Sequence, residues 1–502
     1  MEMMNKSQRP RDEESGPIGF SEFAPRRFLF CFGRVATMTR GLLIVCWALV
    51  GLATVPATGQ DELGGVPFSE REMYRPTPTP DRIILTFADD PATTLAVTWR
   101  TSADVTKAVG QIALAEDGPD FQLSGKVTTV EAVTEKLDSD LSLAHYHSVI
   151  FKGLQPKTRY VYRVGDGSNW SEWFQTCTAS DQAEPFRFIY FGDAQNDIKS
   201  MWSRVIREAN LEAPRAAFML HAGDLINRAN RDAEWGEWFN AGAWLNGMIP
   251  SIATPGNHEY AKPVRPGMSK EEADALKNQV SLHWRPQFTM PMNGPKVEGL
   301  EETVYYVDYQ GARIISLNSN EKHEEQAAWL ETILAKNPCK WTIITYHHPM
   351  FSAAKGRDNP RLRALWLPIF NKYGVDLVLQ GHDHTYSRSD LVVGDTNVTE
   401  GATTQSQNGT VYVVSVSGPK MYILERHQTA KRAAERTQLF QIISIDGDTL
   451  NYEARTAVNT LYDAFTLKKR PGQPNELIER VPEVEERVGK TVYPNAEAAQ
   501  KD

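Results

Sequence analysis

Apolar residues along this chain recur with two rhythms, and the change from one to the other divides it. Between Arg82 and about Thr178 they come in short alternating runs, such as Ile83-Ile84-Leu85-Thr86-Phe87, Leu95-Ala96-Val97-Thr98-Trp99 and Tyr160-Val161-Tyr162-Arg163-Val164, separated by turn residues. No helical period interrupts them, which predicts a small antiparallel β-sandwich over residues 82–180. From Phe186 the rhythm becomes apolar run, glycine-bearing turn, then helical spacing. Runs at 186–191, 216–220, 249–253, 341–345 and 375–379 predict strands. Residues 198–211, the Trp-rich 235–244, 324–334 and 361–373 predict helices. Residues 304–308 and 313–317 flank Gln310-Gly311 as a hairpin, and 411–416, 439–445 and 450–454 predict closing strands. Strand and helix in alternation predict an α/β domain over 185–468. Residues 261–295 read as a long polar surface insertion near the strand ends. Residues 60–81 read as a linker with a stiff Pro76-Thr77-Pro78-Thr79-Pro80 lead-in, and 469–502 as a polar, disordered tail.

The first 59 residues follow neither rhythm. Met38-Thr39-Arg40, the apolar stretch 41–52 and the small residues Ala57-Thr58-Gly59 read as a signal peptide starting at Met38, with cleavage before Gln60. That predicts a secreted or periplasmic protein; a retained membrane anchor is the alternative reading, and the mature form is expected to have no stable membrane span. Of four cysteines, Cys31 and Cys46 leave with the leader, so Cys177 and Cys339 make neither a disulfide scaffold nor a Cys-rich metal site. A net charge of −9 argues against a nucleic-acid partner. It leaves anionic substrates open, because bound cations invert a local field.

Chemistry gathers where the predicted strands end. Gly-Asp occurs at 192–193 and 223–224, Gly-Asn-His-Glu at 256–259, His-His-Pro at 347–349 and Gly-His-Asp-His at 381–384, each after an apolar run. Ligand sites in open α/β sheets collect at that edge. Each motif alone has a bland account as a capped turn. Together they supply carboxylates, an amide oxygen and imidazoles, the donor set that two close di- or trivalent cations require.

These motifs, with Gly381-His382-Asp383-His384-Thr385-Tyr386-Ser387-Arg388 and the Gly153-Leu154-Gln155-Pro156 corner of the sandwich, resemble the calcineurin-like metallophosphoesterases and, within them, the purple acid phosphatases. The resemblance implies a fibronectin III-like sandwich followed by a four-layer α/β/β/α domain. It implies a phosphoric ester hydrolase, acid phosphatase-like, that cleaves phosphate monoesters by direct attack of metal-bound hydroxide. By motif, Asp193 and His384 would bind the first metal, Asp224 would bridge, and Asn257, His347 and His382 would bind the second. His258 would face the phosphate as acid or charge stabiliser, with Glu259 orienting it. His348 is a substrate candidate, and Lys355 and Arg357 could reach a phosphate, a solvated loop being the alternative for both; Arg388 reads as a structural ion-pair partner.

Two departures shape the expected centre. The tyrosinate that gives purple acid phosphatases their colour is replaced by Asn227, and the alternative Asp-x-His ligand by Gln195. Gln195 could then donate to the first metal as a neutral and weaker ligand, with Asn227 or a water as the alternatives. Two ions chosen from Zn, Mn and Fe(II) are easier to hold there than Fe(III). Competing functions are a phosphodiesterase acting on nucleotides or lipid headgroups, and a catalytically weakened surface binding protein with a residual metal site.

Overall fold

The computed structural model describes residues 68–489 except 124, 265–266 and 394–407. The expected leader and cleavage site, the first part of the linker and the end of the tail lie outside those residues. The described part of the linker is not merely extended. Ser69 caps a helical turn Glu70–Met73 by accepting from the Glu72 amide, and Tyr74 then packs with Leu141 and Ala233.

Strands Asp81–Thr86, Leu95–Ser102, Leu143–Phe151 and Val133–Asp138 form one face of the N-terminal sandwich. Thr128–Glu131, Val109–Leu114, Arg159–Gly165 and Phe174–Cys177 form the other. Leu85, Val97, Trp99, Val149 and Tyr162 close the space between them. The first of these sheets continues past the domain edge. Asp81–Thr86 runs parallel to Ser251–Ala253, with Thr86 opposite Ser251, so the sheet extends to eleven strands. Met219–His221 and Phe186–Phe191 follow in parallel, and Leu439–Asp446, Thr449–Thr456, Leu461–Arg470 and Gln473–Glu479 complete it antiparallel.

A seven-stranded sheet faces it, parallel at its centre through Ala312–Ser316, Trp341–Thr345, Leu377–Gln380 and Val411–Val414. Alternate residues of these strands divide between two cores. Ile314, Ile343 and Leu377 join the core shared with the first sheet and with helices Ser203–Glu212 and Asp232–Gly242. Ile315, Ile344 and Val378 pack under helices His323–Ala335 and Pro360–Tyr373. The result is an N-terminal antiparallel sandwich ahead of an α/β/β/α domain. Central strands covered on both faces explain the unbroken apolar runs.

Two expectations are corrected. The insertion at 261–295 is only partly surface: Trp284, Phe288 and Met290 are fully buried, and Phe288 meets Trp238 edge-on at 6.0 Å. One short turn, Trp284–Gln287, anchors it, too short to show a period in a sequence window. The tail from 469 is ordered to 489. Gln473–Glu479 is the sheet's outer strand, and Glu479 and Lys469 reach the buried Arg388 and Asp376. Its charges looked like a solvated run but have partners waiting in the fold.

Candidate active site

Each of the five motifs follows the C-terminal end of a strand: Gly192 and Gly381 directly after Phe191 and Gln380, Gly223 and His347 two residues past His221 and Thr345, and Gly256 three past Ala253. Gly223 takes φ +92°, a left-handed turn that a side chain resists. At Gly256 a Cβ would stand 2.1 Å from Asp224 Oδ1, so only glycine lets the Asn257 loop close over that carboxylate.

Asp193, Asp224 and His384 form one set of donor atoms within 4.8 Å of one another, and Asp224, His347 and His382 form a second. Asp224 belongs to both. Asn257 Oδ1 lies 3.1 Å from His347 Nε2 and 2.9 Å from His382 Nδ1, adding an amide oxygen to the second set. The imidazoles are aimed from behind. His347 Nδ1 donates to Ala222 O and His384 Nδ1 to Lys420 O, each at 2.9 Å, which leaves both Nε2 atoms facing the carboxylates. His384 Nε2 is 3.2 Å from Asp193 Oδ2, which has no hydrogen-bond donor although buried.

The electrostatics suit cations. Burial, then the charge of Asp224, pushes Asp193 well above the usual carboxylate range, although His347 opposes this. Burial also raises Asp224, but His347 and His258 outweigh it and hold that carboxyl low. Burial would lower His347, yet Asp224 and Asp193 bring it up to about 9. The carboxylate pair therefore favours the charged form of His347. Burial lowers His384 to about 3, followed by Lys420, and drives His382 well down, followed by His348 and His347. Neutral imidazoles, with the His384 Nε2 lone pair facing inward, an undonated buried carboxylate oxygen and a shared aspartate fit two divalent ions.

Gln195 lies in the cluster with its amide nitrogen inward, 2.8 Å from Asp224 Oδ2, while its buried Oε1 has no partner. A half-turn of the soft terminal torsion exchanges the two atoms and offers the oxygen to the first set. His258 Nδ1 donates to Asn227 O at 2.6 Å, so Nε2 points inward, 4.0 Å from Asp224 Oδ2. The position that lacks a tyrosine thus supports His258 through its main chain.

Glu259 does not orient His258. It is buried, and its carboxylate accepts from the amides of Asp224, Leu225 and Gly256 at 2.7–2.8 Å, and of Ile226 at 3.4 Å. It ties two ligand loops together. Its adjacency to His258 in sequence was misleading because the short turn Asn257–Glu259 sends the two side chains apart.

His348 is held by Ser319 Oγ at 2.8 Å and lies tilted against His382, ring centroids 4.3 Å apart. Arg357 Nη1 donates to His382 Nε2 at 2.8 Å, and its guanidinium lies over the Tyr422 ring. Lys355 places its main-chain amide on Ile423 O. Arg388 is fully buried between Asp463 and Glu479. Three contributors carried no sequence signal: Tyr422, Ser319 and Asp383, the unspecified residue of Gly-His-x-His. Asp383 Oδ2 accepts from Ser352 Oγ at 2.5 Å and from the Ala353 amide at 2.8 Å, holding the loop that carries Arg357. Cys177 and Cys339 are free thiols.

Residues 80–178 match the purple acid phosphatase N-terminal domain, and residues 186–386 the calcineurin-like phosphoesterase family. The chain thus carries a purple acid phosphatase N-terminal domain followed by a calcineurin-like phosphoesterase domain. It is a metal-dependent phosphoric ester hydrolase of the purple acid phosphatase-like kind, and it carries two candidate metal-binding donor sets. An uncharacterized protein of Mycobacterium tuberculosis is 26% identical over 464 residues, covering 82% of this phosphoesterase and 80% of the relative. Acid phosphatase type 7 of Mus musculus is 29% identical over 335 residues, covering 62% and 71%. The purple acid phosphatase PPD1 of yellow lupin shares the fold, with a TM-score of 0.61, 19% identity and coverage of 78% and 75%. Among the described residues no helix is long and apolar enough to cross a membrane.

Proposed function

We propose that this phosphoesterase is exported and hydrolyses phosphate monoesters. The observation that carries the reading is the pair of donor sets sharing Asp224. Asp193, Asp224 and His384, with Gln195, would hold one ion; Asp224, Asn257, His347 and His382 would hold the other. When bound, the ions activate water near neutral pH and neutralise the phosphoryl oxygens. Zn, Mn or Fe(II) suits the first set, which has no anionic donor where the purple enzymes place tyrosine.

The protein's own groups act around that centre. His258, fixed through Nδ1, presents Nε2 to protonate the leaving oxygen or stabilise phosphoryl charge. Were His382 to hold an ion through Nδ1, its ring proton would sit on Nε2 and that nitrogen would no longer accept from the Arg357 N–H. Arg357, held near by its place over the Tyr422 ring, would then be available to a substrate phosphate. His348 supplies a second neutral contact. Export rests on the Met38 leader.

A monoester and a diester of the same chromophore, compared after reconstitution with each metal, test the reading. Faster monoester turnover, two metal equivalents per chain, and loss of both ions in Asp224→Ala are expected. Full metal and activity in that variant would refute the assignment. A diesterase is favoured by one observation: grooves open on both sides of the centre, one lined by Asn227, His258 and Tyr260, the other by Ser319, His323 and His348. Faster diester turnover would select it.

A further inference from the structure

The strands that deliver the metal ligands at one end open at their other end on a second cavity. It lies where Arg159–Gly165 and Phe174–Cys177 of the sandwich meet the start of Phe186–Phe191 and the hairpin tip at Gln310. Its volume is about 500 Å³, within the range of small-molecule sites. Strand Phe186–Phe191 separates it from Asp193, which at ~3.3 Å per residue is roughly 20 Å.

Its lining is basic on a chain whose net charge is −9. Lys157, Arg159, Arg187 and Arg215 face one acid, Glu184. Lys157 and Glu184 satisfy each other at 2.7 Å. Arg159, Arg187 and Arg215 are exposed and have no side-chain hydrogen bond or ion pair among the described residues. They come from three separate segments, so the fold, not one basic run, brings them together. The Phe186 and Tyr309 rings, centroids 4.9 Å apart, with Ile249 and Met248 give the cavity an apolar side.

We propose that this cavity is a second anion site that binds an oligophosphate through Arg159, Arg187 and Arg215. Guanidinium forks match phosphate oxygens, and three of them on separate walls suit linked phosphates better than a single one. An anion there bridges the sandwich to the catalytic sheet, so occupancy raises the stability of the joint between them. Nothing in this depends on the metal centre or on the substrate read there.

The test uses the full chain, chelator-treated, in the Asp224→Ala background, so that the metal centre contributes no binding. Calorimetric titration with tripolyphosphate at about 0.15 M salt, where long-range attraction is screened, is expected to give one site per chain. Adding Arg159→Ala, Arg187→Ala and Arg215→Ala is expected to weaken it at least tenfold. The same three changes with Asp224 intact are expected to leave ester hydrolysis unchanged, which also reports folding. Cys177 is exposed in the cavity wall, whereas Cys339 lies elsewhere. Tripolyphosphate is expected to slow alkylation of Cys177 relative to Cys339, read by peptide mass. Absence of saturable binding, equal binding by the triple-arginine variant, or unchanged Cys177 alkylation would overturn the proposal.

Discussion

At the scale of single residues, His258 and Glu259 are sequence neighbours with opposite tasks. His258 reaches into the site without belonging to either donor set. His258→Ala is therefore expected to keep both ions while turnover falls by roughly a hundred- to ten-thousand-fold, measured as metal content beside kcat. Loss of metal with activity would make His258 a ligand instead. Glu259 satisfies buried amides of two loops at once. Glu259→Gln keeps the shape but turns an N–H₂ toward backbone N–H groups. At about 1–3 kcal/mol for each unsatisfied buried donor, the loss is expected to exceed about 2 kcal/mol in denaturant unfolding. A variant as stable as the parent would show that the loops hold without it.

At the scale of elements, strands deliver the ligands and loops aim them. Asp383 illustrates the division: its neighbours His382 and His384 face the metal sets, while its own carboxylate points away and fastens residues 352–354. Asp383→Ala is expected to raise KM more than it lowers kcat, because it loosens the loop bearing Arg357 and leaves both donor sets in place. Equal loss in kcat with KM unchanged would place Asp383 in the chemistry. The same division explains what could be read beforehand. Gly-Asp, Gly-Asn-His-Glu and Gly-His-x-His are legible because metal ligation demands particular donors and the close loops demand glycine. Tyr422, Ser319 and Asp383 are not, because stacking, capping and loop anchoring draw on residue types that occur everywhere on a surface.

At the scale of the whole molecule, the sandwich and the catalytic domain share a sheet and a buried charge cluster. Asp232 on the helix Asp232–Gly242 receives Arg82 at 2.8 Å, Arg100 at 3.4 Å and His283 at 3.2 Å. Burial would raise its pKa, but Arg82 and then His283 hold it far below the usual range. A depressed carboxylate gives its full contribution above the unfolded value near ~4 and loses it only as pH falls below that. Asp232→Asn should thus cost about 3–5 kcal/mol, constant between about pH 5 and 8, in urea unfolding. His147 acts with the same sign in a higher pH window. Buried between Thr101 and Thr134, it is lowered to about 4, first by burial and then by His145. A depressed histidine stabilises fully above its unfolded value near ~6.5 and loses that contribution as pH falls toward the folded value, up to about 3 kcal/mol. His147→Gln should flatten the fall in stability between those values; an unchanged slope would exclude His147 as its source.

The sequence by itself determined the two rhythms, hence a sandwich followed by an α/β domain, and it determined the donor types. Periodicity follows from backbone geometry, and metal chemistry admits few side chains, so both are local properties. Only the tertiary structure decided that the sandwich joins the catalytic sheet through Thr86 and Ser251 and that Asp224 serves both donor sets. It also decided that Glu259 braces loops, that residues 469–489 belong to the fold, and that three arginines from separate segments share one cavity. Each of these depends on residues far apart in the chain, whose meeting is fixed by packing and leaves no mark on any short stretch of sequence.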